Sequence, residues 1–270
     1  MFGKYIDYVR MNRPLVHCIT NYVTINDVAN NILASGGNPV MAENPKEVAQ
    51  IVKNANALYL NFGMLSDLKL EAMINAGKAA NENKIPIVLD PVGVGATEYR
   101  QEAIKKLMSE VHIDIIRGNM SEIKCLASFE VKQKGIDSDE LVEEESLDDH
   151  INFLKGYAKY MNSIISVSGP IDLVTNGDVC YCIYNGNPMM SRITGTGCQL
   201  SGLTASFAGA SHDLFMATVA ATITMGLAGE IALTHLKEYE GNSTYRNLII
   251  DSIYRMNKRM IEQGEKYEIK

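Results

Sequence analysis

Residues 84–97 read KIPIVLDPVGVGAT. From Ile85 to Leu89 the run is apolar without alternation, which marks a short strand covered on both faces. Asp90 closes that run and opens a loop with glycines at positions 93 and 95, and Thr97 then offers the N-cap of a helix through Met108. Strand, glycine loop and helix in this order form the repeating unit of a parallel sheet with helices on both faces.

Outward from this unit the same rhythm recurs. Strands are predicted over Leu15–Thr20, Asn38–Met41, Ala57–Phe62, Pro86–Asp90, Ile113–Arg117 and Ser163–Ser168, with helices between them. Asn44-Pro45-Lys46-Glu47 carries an N-cap, a first-turn proline and a capping-box glutamate. Ser66 precedes a helix reaching about Asn83, and Ser121 another. After Ser168 the pattern changes to Asp172–Thr175 and Val179–Tyr184 joined by Asn176-Gly177-Asp178, a tight-turn signal for an antiparallel hairpin. From Gly197 onward the pattern is helical, with Leu203–Ala210, Phe215–Leu236 and Tyr245–Gln263; Ser201, Ala205 and Gly209 form a stripe of small residues suited to close packing. No repeat or proline-rich linker interrupts the chain. The expectation is one domain over residues 1–270, α/β, with a mostly parallel central sheet, helices on both faces and an antiparallel edge hairpin.

Composition excludes several classes. The 270 residues carry 25 Lys+Arg against 32 Asp+Glu, a net charge of −7. Eight of those acids fall in residues 136–149, IDSDELVEEESLDD, and without them 24 acids face 25 bases. A near-neutral remainder argues against a broad nucleic-acid surface, which needs an excess of cations to displace phosphate counterions. The acidic run itself reads as a solvated loop or exposed helix face. Cys18, Cys125, Cys180, Cys182 and Cys198 form no CxxC pair, as expected of reduced thiols in a cytoplasmic protein. The N-terminal MFGKYIDYVRMNRP lacks a signal-peptide core, and the apolar stretch Leu214–Gly229 reads as a buried helix rather than a membrane span.

Open parallel sheets bind ligands at the carboxyl ends of their strands. Three polar clusters fall there. Asp90 is placed either to hold Mg²⁺ or merely to cap its loop. Arg117-Gly118-Asn119-Met120-Ser121-Glu122 offers a cation for phosphate and a first-turn carboxylate, which the helix dipole alone would also favour. Ile193-Thr194-Gly195-Thr196-Gly197-Cys198 is a small-residue loop entering a helix, whose first amides form an anion hole. It has neither the GK[ST] of a Walker loop nor a GxGxxG pattern. The same helix start would lower the thiol pKa of Cys198, fitting it as a base or nucleophile. Residues 16–26, VHCITNYVTIN, and Met41 suit a small neutral heterocycle, and His17 reads as a core histidine.

The segments HCITNYVTINDVANNILASGGNPVMAENPKEV, DPVGVGAT, RGNMSE and TGTGCQLSG occur in that order over residues 16 to about 202, and together they resemble the hydroxyethylthiazole kinases of the ribokinase-like superfamily. The resemblance implies a ribokinase-like kinase domain that phosphorylates 4-methyl-5-(2-hydroxyethyl)thiazole with ATP and Mg²⁺ in thiamine biosynthesis and salvage. It further implies that Asp90 and Glu122 organise the metal, and that Arg117, Ser168, Asn119 and Gly197 serve the nucleotide. Met41, Gly195, Asn21 and Gly63 would serve the thiazole, with Cys198 beside its hydroxyl. A homotrimer with active sites between subunits is also implied. The family usually has Thr where this chain has Ser168, and the superfamily's usual base is an aspartate at the place of Cys198. The rival readings are a related kinase for hydroxymethylpyrimidine or pyridoxal, a cysteine hydrolase or acyltransferase acting through Cys198, and a non-catalytic sensor.

Overall fold

The computed structural model describes residues 1–133 and 146–270. Among the described residues, nine strands make one sheet. They are β1 (Leu15–Ile19), β2 (Asn38–Met41), β3 (Ala57–Asn61), β4 (Ile87–Asp90), β5 (Ile115–Asn119), β6 (Ile164–Ser168), β7 (Asp172–Thr175), β8 (Cys180–Ile183) and β9 (Tyr267–Ile269), in the spatial order 2-1-3-4-5-6-7-8-9. Pairings from β2 to β6 are parallel, and β6 to β9 are antiparallel. The mostly parallel sheet with an antiparallel edge is therefore present, and β9 adds a strand to the expected hairpin.

The two-sided burial expected of 84–97 holds, since β3 and β4 are buried at every position. One face is covered by α3 (Val48–Val52), α4 (Asp67–Glu82), α5 (Glu98–Glu110), α6 (Met120–Gln133) and α7 (Leu147–Met161). The other carries α1 (Lys4–Asn12), α2 (Ile25–Ser35), α8 (Thr196–Gly209), α9 (Leu214–His235), α10 (Asn242–Arg255) and α11 (Lys258–Gly264). Helix α8 lies across β1, β3 and β4. Its stripe of small residues makes that approach possible: a Cβ on Gly209 would sit 3.2 Å from Ala57 and Asn56.

Several boundaries differ from expectation. Strand β5 ends two residues later than predicted because it pairs with β6 as far as Asn119 opposite Ser168, so Arg117 and Asn119 belong to the strand and helix α6 follows at once. Asn44 caps a turn, its Oδ1 accepting from the Lys46 amide, and the short α3 starts only after Glu47, without a capping box. The expected helix Tyr245–Gln263 is two helices: Met256 leaves helical backbone (ψ 138°) and Asn257 caps α11 by accepting from the Met260 amide. Helix α8 runs from Thr196 to Gly209, starting one residue before the Gly197 from which the pattern reads as helical, and Gly195 takes the left-handed conformation (φ 82°) that sets up its first turn.

Helix α9 is long and apolar enough to cross a membrane, but 72% of its most apolar window is buried inside the protein. Its threonines donate back into the helix, as Thr218 does to Leu214 O and Thr222 to Thr218 O, so no hydroxyl there demands an outside partner. All five cysteines are free thiols. Residues 136–145 of the acidic run lie outside the described residues; Ser146 and Asp149 form the capping box of α7.

Candidate active site

The carboxyl ends of β1 and β3–β6 and the N-terminus of α8 converge on one group of polar side chains. Asn61, the last residue of β3 and fully buried, is its hub. Its Nδ2 faces the Tyr59 hydroxyl at 2.8 Å, Asp90 Oδ2 at 3.1 Å and Cys198 Sγ at 3.3 Å. Its Oδ1 accepts from Asn21 Nδ2 (3.0 Å) and from the Gly63 amide (2.9 Å). Asn21 Nδ2 also lies 3.5 Å from Cys198 Sγ, while Asn21 Oδ1 receives the Val23 and Thr24 amides. Asn21, Gly63 and Cys198, expected from the sequence, are thus brought together by Asn61, which was not.

Asp90 is 3% exposed and accepts from Ser201 Oγ at 2.8 Å and from Tyr59 at 3.3 Å. Burial raises its pKa, and the nearby Glu122 charge adds to this; Arg117 at 4.0 Å and the Ser201 hydrogen bond pull the other way. Arg117 donates to Gly197 O (2.9 Å), to Ser201 Oγ (3.1 Å) and to the Ser168 hydroxyl, so it ties β5, β6 and the start of α8 together. Its Nε is buried with no partner among the described residues. Glu122, in the first turn of α6, joins the loop after β4 to the end of β5, Oε1 accepting from the Gly93 amide and Oε2 from the Asn119 amide, both at 2.9 Å. Asn119 is exposed, and its Oδ1 caps α6 by accepting from the Glu122 amide.

Cys198 corrects one expectation. Its thiol pKa is raised, first by burial and then by the Asp90 carboxylate, and hydrogen bonds from Thr24 and Asn61 and the Arg117 charge offset this only in part. Taking a thiolate out of water at this buried position outweighs the groups that would favour it. Cys198 is therefore a neutral thiol at pH 7. The contacts to its sulfur come from Asn21, Asn61 and Thr24, with no histidine at the sulfur among the described residues, which removes the basis for a cysteine nucleophile. His17 is fully buried, with Nε2 2.9 Å from Ala42 O and a lowered pKa caused by burial.

The network has two sides. On one side Met41 packs against the apolar cluster that includes Cys198 and Tyr59, and Gly195 meets Thr24 so closely that a Cβ would lie 2.1 Å from the Thr24 methyl. On the other, a cleft of about 560 Å³ is lined by Arg117, Ser168, Gly197, Pro170, Met190 and Met225, among others. Asp172 also lines it; burial raises its carboxyl to about 6 despite the Gly169 amide and the Arg117 charge. A larger cavity of about 980 Å³ lies at the opposite end of the sheet, against Asn56, Asn81 and His112, and contains none of these groups.

Asp90, at the end of β4, and Glu122, in the first turn of α6, supply oxygen donors from neighbouring elements. Among the described residues no group of three or more His, Cys, Asp or Glu could hold a metal unaided. This donor set fits Mg²⁺, which takes one or two carboxylates and fills its octahedron with water and substrate phosphates.

A mostly parallel sheet in this strand order, with an antiparallel edge and a cleft where its strands end, defines a ribokinase-like fold. A ribokinase-like superfamily protein from Enterococcus faecalis shares the fold, with a TM-score of 0.62 at 12% identity over 93% of this chain and 94% of that one. The hydroxyethylthiazole kinase family model matches residues 6–259, and the chain belongs to that family. It is 44% identical to a hydroxyethylthiazole kinase of Clostridium acetobutylicum over 99% of both chains, and 43% identical to one of Thermoanaerobacter pseudethanolicus, also over 99% of both. The structure of hydroxyethylthiazole kinase from Pyrococcus horikoshii OT3 superposes with a TM-score of 0.87 at 32% identity, covering all of this chain and 98% of that one.

Proposed function

We propose that the protein transfers the γ-phosphoryl group of ATP to the hydroxyl of 4-methyl-5-(2-hydroxyethyl)thiazole, giving the thiazole phosphate used in thiamine biosynthesis and salvage. The observation that carries this reading is the arrangement around Cys198: the Asn21 and Asn61 amides at its sulfur on one side and, across the start of α8, a cleft lined by Arg117 and Ser168. The thiazole alcohol sits on the side of Met41, Asn21, Gly63 and Gly195, with its hydroxyl at Cys198. The triphosphate enters from the cleft, so that its γ-phosphate meets the first amides of α8, at Thr196, Gly197 and Cys198, which have no partner within the helix.

Arg117 and Ser168 hold the phosphates, with Gly197 giving the backbone room for close approach and Asn119 at the rim. Asp90 and Glu122 would hold Mg²⁺, with their oxygens kept in place by the amide and side-chain hydrogen bonds described above. The ion would neutralise charge on the bridging and terminal phosphate oxygens. Phosphoryl transfer passes through a loose transition state in which positioning and charge stabilisation supply most of the catalysis. A neutral thiol suits that demand: Asn21 and Asn61 fix the sulfur, and the sulfur orients the substrate hydroxyl, whose proton passes to an oxygen of the transferred phosphoryl group once the new O–P bond has largely formed and ADP has left.

The reading extends to a single kinase domain over residues 1–270, a cytoplasmic enzyme and a homotrimer with active sites between subunits. Tyr22, Val23, Met64 and Leu68 support the trimer, because these exposed apolar side chains lie on the loops and helix start bordering the thiazole pocket. Light scattering should give three times the chain mass. The decisive assay is ADP formation in the presence of Mg²⁺ and the hydroxyethylthiazole. Turnover on a hydroxymethylpyrimidine or pyridoxal but not on the thiazole overturns the substrate.

A further inference from the structure

Lys69, the third residue of α4, is only 4% exposed. Lysine is almost never buried to this degree unless its charge is paired. Its Nζ donates to Thr20 O at 2.7 Å, lies 3.4 Å from Glu43 Oε2 and stands 5.0 Å from the centre of the Tyr22 ring. The Tyr22 hydroxyl donates in turn to Glu43, closing a ring of contacts. One ammonium thereby joins the loop after β1, the loop after β2 and the first turn of α4. These are the two loops that carry the thiazole pocket: Thr20 precedes Asn21, and Glu43 follows Met41 by two residues.

We propose that Lys69 is a positioning residue for the alcohol substrate, clamping the 20–24 loop and the end of β2 at the distance that lets Asn21 and Met41 close on the bound heterocycle. The proposal rests on the substrate placement given above. Lys69 acts through Asn21, whose amide reaches both Cys198 and Asn61, and through Thr24, which packs on Gly195. Without the ammonium, Thr20 O loses its charged donor and the Tyr22 ring its cation, while Glu43, about a third exposed, can turn to solvent. The loop then has to be ordered by the substrate itself, which weakens its binding and leaves the nucleotide cleft untouched.

The test uses Lys69→Met, which keeps the aliphatic stem, Lys69→Arg, which keeps a charged donor, and Glu43→Gln. For Lys69→Met the KM of the thiazole alcohol should rise about tenfold while that of ATP stays within about twofold, and Lys69→Arg should recover most of the loss. Glu43→Gln should fall between wild type and Lys69→Met. Hydrogen exchange gives a readout that needs no substrate: the Val23 and Thr24 amides, bonded to Asn21 Oδ1, should exchange about tenfold faster in Lys69→Met. An ordinary folding contact would instead lower stability and leave the ratio of the two KM values unchanged. A folded Lys69→Met with unchanged alcohol KM and unchanged exchange overturns the clamp, as does an ATP KM that rises in step. Absence of thiazole-dependent turnover in the wild type defeats the substrate placement instead, and the two amides still decide whether Lys69 holds the loop. Should Lys69→Met not fold, unchanged KM values and exchange in Glu43→Gln overturn the proposal.

Discussion

Replacing Asn61 by aspartate exchanges one nitrogen for oxygen in the most connected side chain of the site. In the wild type that nitrogen donates toward Asp90 Oδ2 at 3.1 Å. In Asn61→Asp a second carboxylate oxygen takes its place, while the other oxygen still accepts from Asn21 and Gly63. Two unit charges this close repel by about 5 kcal/mol at an effective dielectric of about 20. Loss of the charge-assisted hydrogen bond adds ~1.5–3 kcal/mol. Set against a typical total stability of about 5–15 kcal/mol, this forces the pair to keep one proton. The native state then binds a proton that the unfolded chain releases above about pH 4, so the variant's deficit is smallest in acid. It grows as pH rises through the raised native pKa of the pair and then levels off. Urea unfolding from pH 5 to 8.5, with wild type subtracted, should show a deficit of several kcal/mol at the alkaline end that shrinks toward pH 5. Asn61→Asp combined with Asp90→Asn removes the repulsion and returns a donor, so it should regain most of that stability. A deficit independent of pH, or a double variant as unstable as Asn61→Asp, would refute the electrostatic account.

Cys198→Asp should retain turnover, because it supplies a carboxylate where the wild type has a weak proton acceptor, and Cys198→Ala should keep a residual rate; full activity in the alanine variant would remove the thiol from the mechanism. Iodoacetamide should label wild-type Cys198 slowly at pH 7 and faster only above the ordinary thiol range, as its raised pKa requires. Gly195→Ala should destabilise by at least ~1–2 kcal/mol from its left-handed backbone, with a further steric cost against Thr24. Adding Thr24→Ser deletes the methyl in the way and should recover the steric part in chemical denaturation. Asp172, with its carboxyl near 6, makes native stability fall as pH rises from about 4 to 6. Asp172→Asn keeps an acceptor for the Gly169 amide and should flatten that limb of the pH–stability curve.

The strand ends were legible because their signals are local. Asp90 stands where an apolar run stops, and the Gly195–Cys198 loop announces itself by composition. Asn61 escaped because the expected strand Ala57–Phe62 runs past it to Phe62, so it reads as a lone polar residue within a strand; its importance comes from Asn21, Asp90 and Cys198, which reach it from other elements. A fully buried amide at the end of a strand in the middle of the sheet was the available clue. The direction of the Cys198 shift was misread for a related reason: the helix start is visible in the sequence, while the burial that outweighs it is assembled from distant segments. The break at Met256–Asn257 was readable, since Asn257 is a good cap, but the apolar periodicity on either side ran across it. Strand β9 is three residues long and gains its structure from β8.

Helix α9 also bears on how the protein is made. Its apolar residues point in every direction, and α10, packed closely along it, emerges from the ribosome afterwards. At ~5–20 residues per second, the roughly twenty residues between His235 and Arg255 take about one to four seconds to synthesise. For that interval the nascent chain displays a segment that satisfies the length and hydropathy requirements of a membrane span before its cover exists. Its safe delivery therefore depends on the earlier-made β6–β8 and α8 already offering it a surface, or on a chaperone that occupies it until α10 arrives.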